Sequence, residues 1–241
     1  MSAAAFQTRD EILRVTDLHA FYGESHILHG IDLRVNEGEL ITLLGRNGSG
    51  RSTTLKSIMG LVGRRTGSVM FNGNEITTLA PHRIARLGVG FCPEERGIFS
   101  GLNTEENLLL PPEVRSGGMT VAEIYQVFPN LYERRHSPGM RLSGGEQQML
   151  AMARILRTGA RLLLLDEITE GLAPVIVKKL GEVIRLLKGR GYTIVLVEQN
   201  FRFAAPLADR HYVLEHGRIV ATVQREELAA KTGMLHELLG V

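Results

Sequence analysis

The sequence predicts an α/β fold built on a mostly parallel sheet. Two observations carry this expectation: short apolar runs rich in β-branched residues recur along the chain, and stretches with helical periodicity fall between them. Strands buried on both faces that alternate with helices belong to parallel sheets, because each crossover lays a helix over the sheet.

Taken in order, strands are expected at residues 12–18, 31–35 and 40–44. The third leads through a glycine-rich turn into a helix over 53–59. A strand at 68–71, a helix at 82–87 and a strand at 89–92 follow. From residue 97 to 157 the rhythm breaks into a helical segment interrupted by "LLPPEVRSGG", with helices at 122–128 and 146–157. This segment reads as an inserted lobe, which leaves 1–96 and 158–241 as one core. The strand and helix alternation resumes at 162–166, 175–188, 193–197 and 201–207, and two further strands are expected at 212–215 and 219–222. No internal repeat or low-complexity tract is evident.

Composition excludes several classes. At 241 residues and 44% hydrophobic, the chain can bury a sizeable core. A net charge of +2, spread without any run of Lys or Arg, gives no electrostatic reason to bind nucleic acid. The single cysteine, Cys92, rules out an internal disulfide and reads as a small buried hydrophobe. Residues 1–10 lack a basic start followed by an apolar stretch, and no segment reaches the roughly 18 apolar residues of a membrane span, so neither export nor membrane crossing is expected.

Three stretches point to chemistry. In "GRNGSGRST", residues 45–53, Gly45, Gly48 and Gly50 permit a loop whose N–H groups converge, and the helix that follows brings its positive end to the same place. Such a loop suits a polyphosphate, and Ser52 offers a hydroxyl to Mg²⁺. A lysine usually precedes that hydroxyl; here it is Arg51. The run Leu162-Leu-Leu-Leu-Asp166-Glu167 ends a strand in two carboxylates, one placed to hold a metal ion through water and one to polarise an attacking water. In "LSGGEQ", Ser143 and Glu146 have the spacing of a helix capping box, while Gly144 and Gly145 bare a helix N-terminus to a second anion contact.

In this order the motifs resemble the ATP-binding subunits of ABC transporters, over essentially the whole chain. The resemblance implies a P-loop NTPase (RecA-like) core with an N-terminal antiparallel β subdomain and an inserted helical subdomain. It implies ATP and Mg²⁺ as ligands. Gly45, Asn47, Gly48, Ser49, Gly50, Arg51, Ser52 and Thr53 then hold the phosphates, Tyr22 stacks on adenine, Ser52 and Asp166 take the metal, and Glu167 activates water. Ser143, Gly144 and Gly145 face the γ-phosphate of a second copy, so complete sites need a head-to-tail pair, with the loop from Thr169 to Leu172 along its interface.

The stretches "FCPEERGIFSGLNTEENLLL", "DEITEGLAP", "VLVEQNFRFA" and "ADRHYVLEHGRIV" look most similar to the ATP-binding subunits of branched-chain amino acid importers. Glu94 stands where many ABC subunits have Gln, and Gln199 where many have His; the resemblance implies Glu94 as a metal ligand and Gln199 as a donor to the γ-phosphate. It also implies a peripheral subunit on the cytoplasmic face of the inner membrane, paired with an identical or sibling ATP-binding subunit. That pair docks on membrane permease subunits, through Phe99 and residues 108–110 of the lobe, and serves a solute-binding protein indirectly. The alternative reading is a nucleotide-gated subunit that binds ATP but scarcely hydrolyses it, motivated by Arg51 and Gln199. A chromosome- or repair-associated ATPase is disfavoured by the absence of a coiled-coil arm, zinc module or basic patch.

Overall fold

The computed structural model describes residues 10–240. Residues 1–9, read above for the lack of an export signal, lie outside the described residues, as does Val241. Strands β1 (Glu11–Tyr22), β2 (Ser25–Asn36) and β3 (Leu40–Leu44) lead into α1 (Arg51–Ile58). Next come β4 (Arg64–Phe71), β5 (Asn74–Glu75), α2 (Pro81–Arg86) and β6 (Val89–Cys92). The helices α3 (Thr104–Leu109), α4 (Val121–Val127), α5 (Pro129–Glu133) and α6 (Gly144–Arg157) precede β7 (Leu162–Asp166), α7 (Pro174–Gly189), β8 (Thr193–Val197) and α8 (Phe201–Ala204). The chain then runs through β9 (Arg210–Glu215), β10 (Arg218–Gln224) and α9 (Leu228–Leu239).

Among the described residues these strands form two sheets. One has the order β10-β9-β3-β8-β7-β6, parallel except for β10 at its edge. The other, β2-β1-β4-β5, is antiparallel. The expectation of one mostly parallel sheet is therefore corrected for the strands at 12–18, 31–35 and 68–71, which belong to the separate antiparallel sheet that the family resemblance implied. The physical reason lies in burial. β3, β7 and β8 are buried at every position, whereas β1 and β2 mix buried with exposed residues and present one face to water. Polar residues on that wet face, among them His19 and Arg34, also hide the full twelve-residue length of both strands from an apolar-run reading.

Both faces of the parallel sheet are covered. Ile41, Leu43, Leu162, Leu164, Val195 and Val197 pack with Leu55 and Ile58 of α1 and with Leu13, Val15 and Ile31 of the antiparallel sheet. Leu40, Leu44, Leu163, Leu165, Ile194 and Leu196 join the opposite core, with Leu150, Leu156, Leu180 and Ile184 of the helices. Alternate residues of each strand thus feed alternate cores, which is why these strands read as largely apolar runs without a polar alternation.

Within 97–157, α3, α4 and α6 start at capping boxes. Asn103 with Glu106, Thr120 with Glu123, and Ser143 with Glu146 each exchange side-chain and backbone hydrogen bonds. The sequence expectation lacks α3 and α5, helices of six and five residues. It also lacks α9, whose one fully covered residue is Leu235. The helix expected over 201–207 stops at Ala204, just short of Pro206. Leu108, expected on a docking surface, is fully buried in the helical core, while Phe99, Leu109 and Leu110 are about half exposed. No helix among the described residues is long and apolar enough to cross a membrane.

The order of the parallel sheet brings three loops together. β8 lies between β3 and β7, so the segments leaving the carboxyl ends of these three strands converge at one edge. Open parallel sheets bind ligands outside that edge.

Candidate functional site

Leu44, the last residue of β3, is buried, and Gly45 begins the loop that ends in α1. The N-cap of α1 is Gly50, at φ 103°, and a β-carbon there would come within 2.7 Å of Leu28 Cδ2. Both conformation and space demand glycine. No side chain caps α1 and no acidic residue occupies its first turn, so the helix offers N–H groups and the positive end of its dipole to an anion. They border a cavity of about 410 Å³ lined by residues 47–53 together with Tyr22, Ile27, Glu94, Glu167, Glu170 and Gln199. That volume suits a small-molecule ligand.

At the end of β7, Asp166 is fully buried and accepts a 2.8 Å hydrogen bond from Ser52 Oγ through Oδ1. Its other oxygen, Oδ2, is buried with no hydrogen-bond partner among the described residues. Burial raises the Asp166 pKa, against the Ser52 hydrogen bond and Lys56. An orphaned carboxylate oxygen beside a hydroxyl is a hard-oxygen donor set, and it fits a divalent cation of the Mg²⁺ class.

Glu167 follows in left-handed backbone, φ 46°, with its N–H bonded to Val197 O at 3.0 Å. This turn brings its carboxylate over the glycine loop. Oε1 accepts from Arg51 Nη2 at 2.8 Å and Oε2 from Gln199 Nε2 at 3.0 Å. Burial, reinforced by the neighbouring Glu170, pushes its pKa up to about 7 in spite of Arg51 and Gln199. A carboxyl near neutrality is poised to take or give a proton at ordinary pH. Arg51 itself is only 4% exposed, and its guanidinium also reaches Glu198 O at 3.1 Å and Asn47 Oδ1 at 3.3 Å. Burial lowers the Arg51 pKa, while Glu167 and Asp166 act to keep its charge.

Glu198, absent from the sequence expectation, ties two of these segments together. It accepts from Thr169 N at 3.1 Å and Thr169 Oγ1 at 2.8 Å, linking the loop after β7 to the loop after β8. Burial pushes its pKa up to about 7. Its position next to Gln199 was the one available signal, and a buried acid is not legible without the fold.

Most of the residues picked out from the sequence meet here. Asn47, Gly48, Ser49, Gly50, Arg51, Ser52, Thr53, Tyr22, Glu94, Glu167 and Gln199 line the cavity, and Asp166 sits against Ser52. The carboxylate of Glu94 lies within 4.8 Å of those of Glu167 and Glu170, a grouping that does not include Asp166. Ser143, Gly144 and Gly145 are not among the lining residues; they form the start of α6, with Ser143 as its capping residue. Cys92 is buried and contacts Gln148 Nε2 at 3.4 Å, as its reading as a small core residue requires.

Comparison with known proteins bears on family and fold. The family model described as ABC transporter matches residues 28–170, more than half of the chain. The chain is 42% identical over 217 residues to the high-affinity branched-chain amino acid transport ATP-binding protein BraG of Pseudomonas aeruginosa, covering 87% of this chain and 91% of that protein. It is 39% identical to the probable branched-chain amino acid transport ATP-binding protein LivF of Archaeoglobus fulgidus, with 90% and 94% covered. The crystal structure of a nucleotide-free ATP-binding cassette from an ABC transporter superposes with a TM-score of 0.82, covering 96% of this chain and 99% of that one at 23% identity, a likeness of fold.

Proposed function

The chain belongs to the ABC transporter family, as an ATP-binding subunit with ATPase activity coupled to transport, and from that premise we propose that it energises import of branched-chain amino acids or related small polar solutes. The solute class rests on the names of its relatives. The chemistry rests on one observation above all: Ser52, the orphaned oxygen of Asp166 and the carboxylate of Glu167 meet at the open end of α1.

In this reading the loop N–H groups of residues 45–53 and the positive end of α1 bind the β- and γ-phosphates of ATP, and Tyr22 takes the adenine. Ser52 and Asp166 hold Mg²⁺, with Glu94 as a further oxygen donor. The ion, when bound, offsets negative charge on the phosphate oxygens. Glu167 orients the attacking water and accepts its proton, and Gln199, already hydrogen-bonded to Glu167, holds that carboxylate in place and donates toward the γ-phosphate. Arg51 exchanges its contact with Glu167 for the phosphates, which frees the carboxylate for water.

Ser143, Gly144 and Gly145 lie outside the cavity of their own chain, so they are available to close the site of a second ATP-binding subunit. Closure on ATP and release after hydrolysis then move the permease subunits between two states. The core comprises residues 1–96 and 158–241, and the lobe 97–157 meets the permease, at the cytoplasmic face of the inner membrane. A subunit that binds ATP without hydrolysing it is not favoured, because Glu167 is present and lines the cavity. The test is reconstitution with the permease subunits in liposomes. Leucine-, isoleucine- or valine-loaded solute-binding protein is expected to stimulate ATP hydrolysis several-fold. No stimulation by any of them, with stimulation by a different solute class, sinks the solute assignment.

A further inference from the structure

Arg46, the second residue of the glycine loop, does not line the cavity. Its side chain turns away from it and donates from Nε to Leu238 O at 3.2 Å and from Nη2 to Glu237 O at 3.1 Å. These are carbonyls of the last turn of α9, which have no partner within the helix and mark the negative end of its dipole. The turn closes at Gly240, in left-handed backbone at φ 73°, with its N–H on His236 O at 2.8 Å. A β-carbon on Gly240 would come within 3.0 Å of Arg46 Nη2 and 3.1 Å of its Cζ. The guanidinium thus lies against a bare stretch of backbone.

The same turn reaches a second wall of the site. His236 packs edge-on against Phe201, with ring centroids 6.0 Å apart. Phe201 opens α8, two residues after Gln199. The carboxyl-terminal end of α9 is therefore in contact with the glycine loop through Arg46 and with the Gln199 segment through His236. Leu235 is buried in the core beneath and anchors the helix. Loop position matters here because the phosphate-binding N–H groups belong to the backbone, and a backbone cradle is only as well placed as its supports.

We propose that Arg46 is a positioning residue for nucleotide binding: it hooks the glycine loop onto the last turn of α9, which sets that loop against the Gln199 segment. The proposal rests on the reading of the cavity as an ATP site. It distinguishes Arg46 from a direct phosphate ligand, because Arg46 does not line the cavity and its Nε and Nη2 donate to α9.

The experiment measures ATP affinity calorimetrically on the full-length chain, without divalent metal to prevent turnover, for wild type, Arg46→Ala, Gly240→Val and the double variant. Arg46→Ala removes two charge-assisted hydrogen bonds and is expected to weaken binding on the order of fivefold. Gly240→Val keeps the arginine and its charge but drives a side chain into the guanidinium, and should weaken binding to a similar extent. The double variant should be no weaker than either single one, because both break the same link. An unchanged affinity in Gly240→Val beside a weakened Arg46→Ala overturns the proposal and makes Arg46 a phosphate ligand; additive effects overturn it as well. Hydrogen exchange on the wild type gives a readout that needs no substitution: ATP should slow exchange of the amides at 237–240, and an unaffected turn counts against the hook. If the wild type binds no ATP, the nucleotide reading fails first and takes the proposal with it.

Discussion

Arg51 and Glu167 form an ion pair at 2.8 Å with side chains 4% and 9% exposed, so the cation of the glycine loop is held by the carboxylate proposed as the base. The guanidinium also spans Asn47 and the Glu198 carbonyl, a set of contacts that a compact ammonium cannot make at once. In the proposed mechanism that pair opens before ATP is hydrolysed.

Arg51→Lys is accordingly expected to raise ATP turnover of the assembled transporter by about tenfold, equivalent to about 1.4 kcal/mol of barrier, with little change in ATP affinity. Steady-state hydrolysis and equilibrium binding on the same preparation check this. A turnover that is unchanged or lower means the loop is adapted to arginine.

Glu167→Gln keeps the shape of the side chain and its place beside Arg51 and Gln199 but removes the base. Hydrolysis should fall on the order of a hundredfold or more while ATP still binds. ATP should then hold two subunits together, visible as a larger species by light scattering where self-pairing is allowed. An unaltered hydrolysis rate removes Glu167 from the mechanism.

Glu198 links pH to stability. Its folded-state pKa is raised from 4.5 to about 7, so the folded protein binds more protons than the unfolded one between these values. Stability therefore falls as pH rises from about 4.5 to about 7 and levels off above, a loss of about 3 kcal/mol for a shift of this size. Glu167 acts in the same sense. His211, buried with its Nδ1 on Thr42 and pushed down to about 4, acts in the opposite sense and costs stability as pH falls from 6.5 toward 4. Glu198→Gln should flatten the loss between pH 5 and 8 and raise the melting temperature at pH 8. A wild-type-like pH profile in that variant contradicts this account.

The helical segment separates two kinds of apolar residue. Leu110→Ala or Phe99→Ala, each at a half-exposed position, should weaken assembly with the permease and leave ATP binding unchanged. Leu108→Ala, at a fully buried one, should instead destabilise the fold by about 2–5 kcal/mol. Copurification yields and denaturant melts tell the two apart, and equal effects in both assays would dissolve the distinction.

Burial governs how much of the fold was legible in the sequence. The bounds 40–44, 89–92, 162–166 and 193–197 agree with β3, β6, β7 and β8, since strands covered on both faces leave a largely apolar run with sharp ends. The glycine loop and the two carboxylates were legible because backbone geometry and charge at a strand end are written in residue type. Partner choice was not. That Arg51 grips Glu167, that Glu198 is buried on Thr169, and that Glu94 gathers with Glu167 and Glu170 depend on segments far apart in the chain. The start of α6 at Gly144 was displaced in the expectation because glycine carries no helical signal, although the capping box at Ser143 marked it.

The order of strands also sets the order in which this protein can come into being on the ribosome. β3 has two neighbours in its sheet, β8 and β9, and pairs Leu40 with Ile194 and Ile41 with Arg210. The glycine loop hangs from a strand whose lateral partners are synthesised some 150 residues later. The antiparallel sheet, by contrast, pairs β1 with β2 and β4 over residues 11–71 and can form early. Closing so distant a pairing is slow, and the nascent chain must carry an unpaired, largely apolar β3 throughout. Arrested chains that end before residue 193 should fail to bind a fluorescent ATP analogue, and chains that extend past β9 should gain it in a single step.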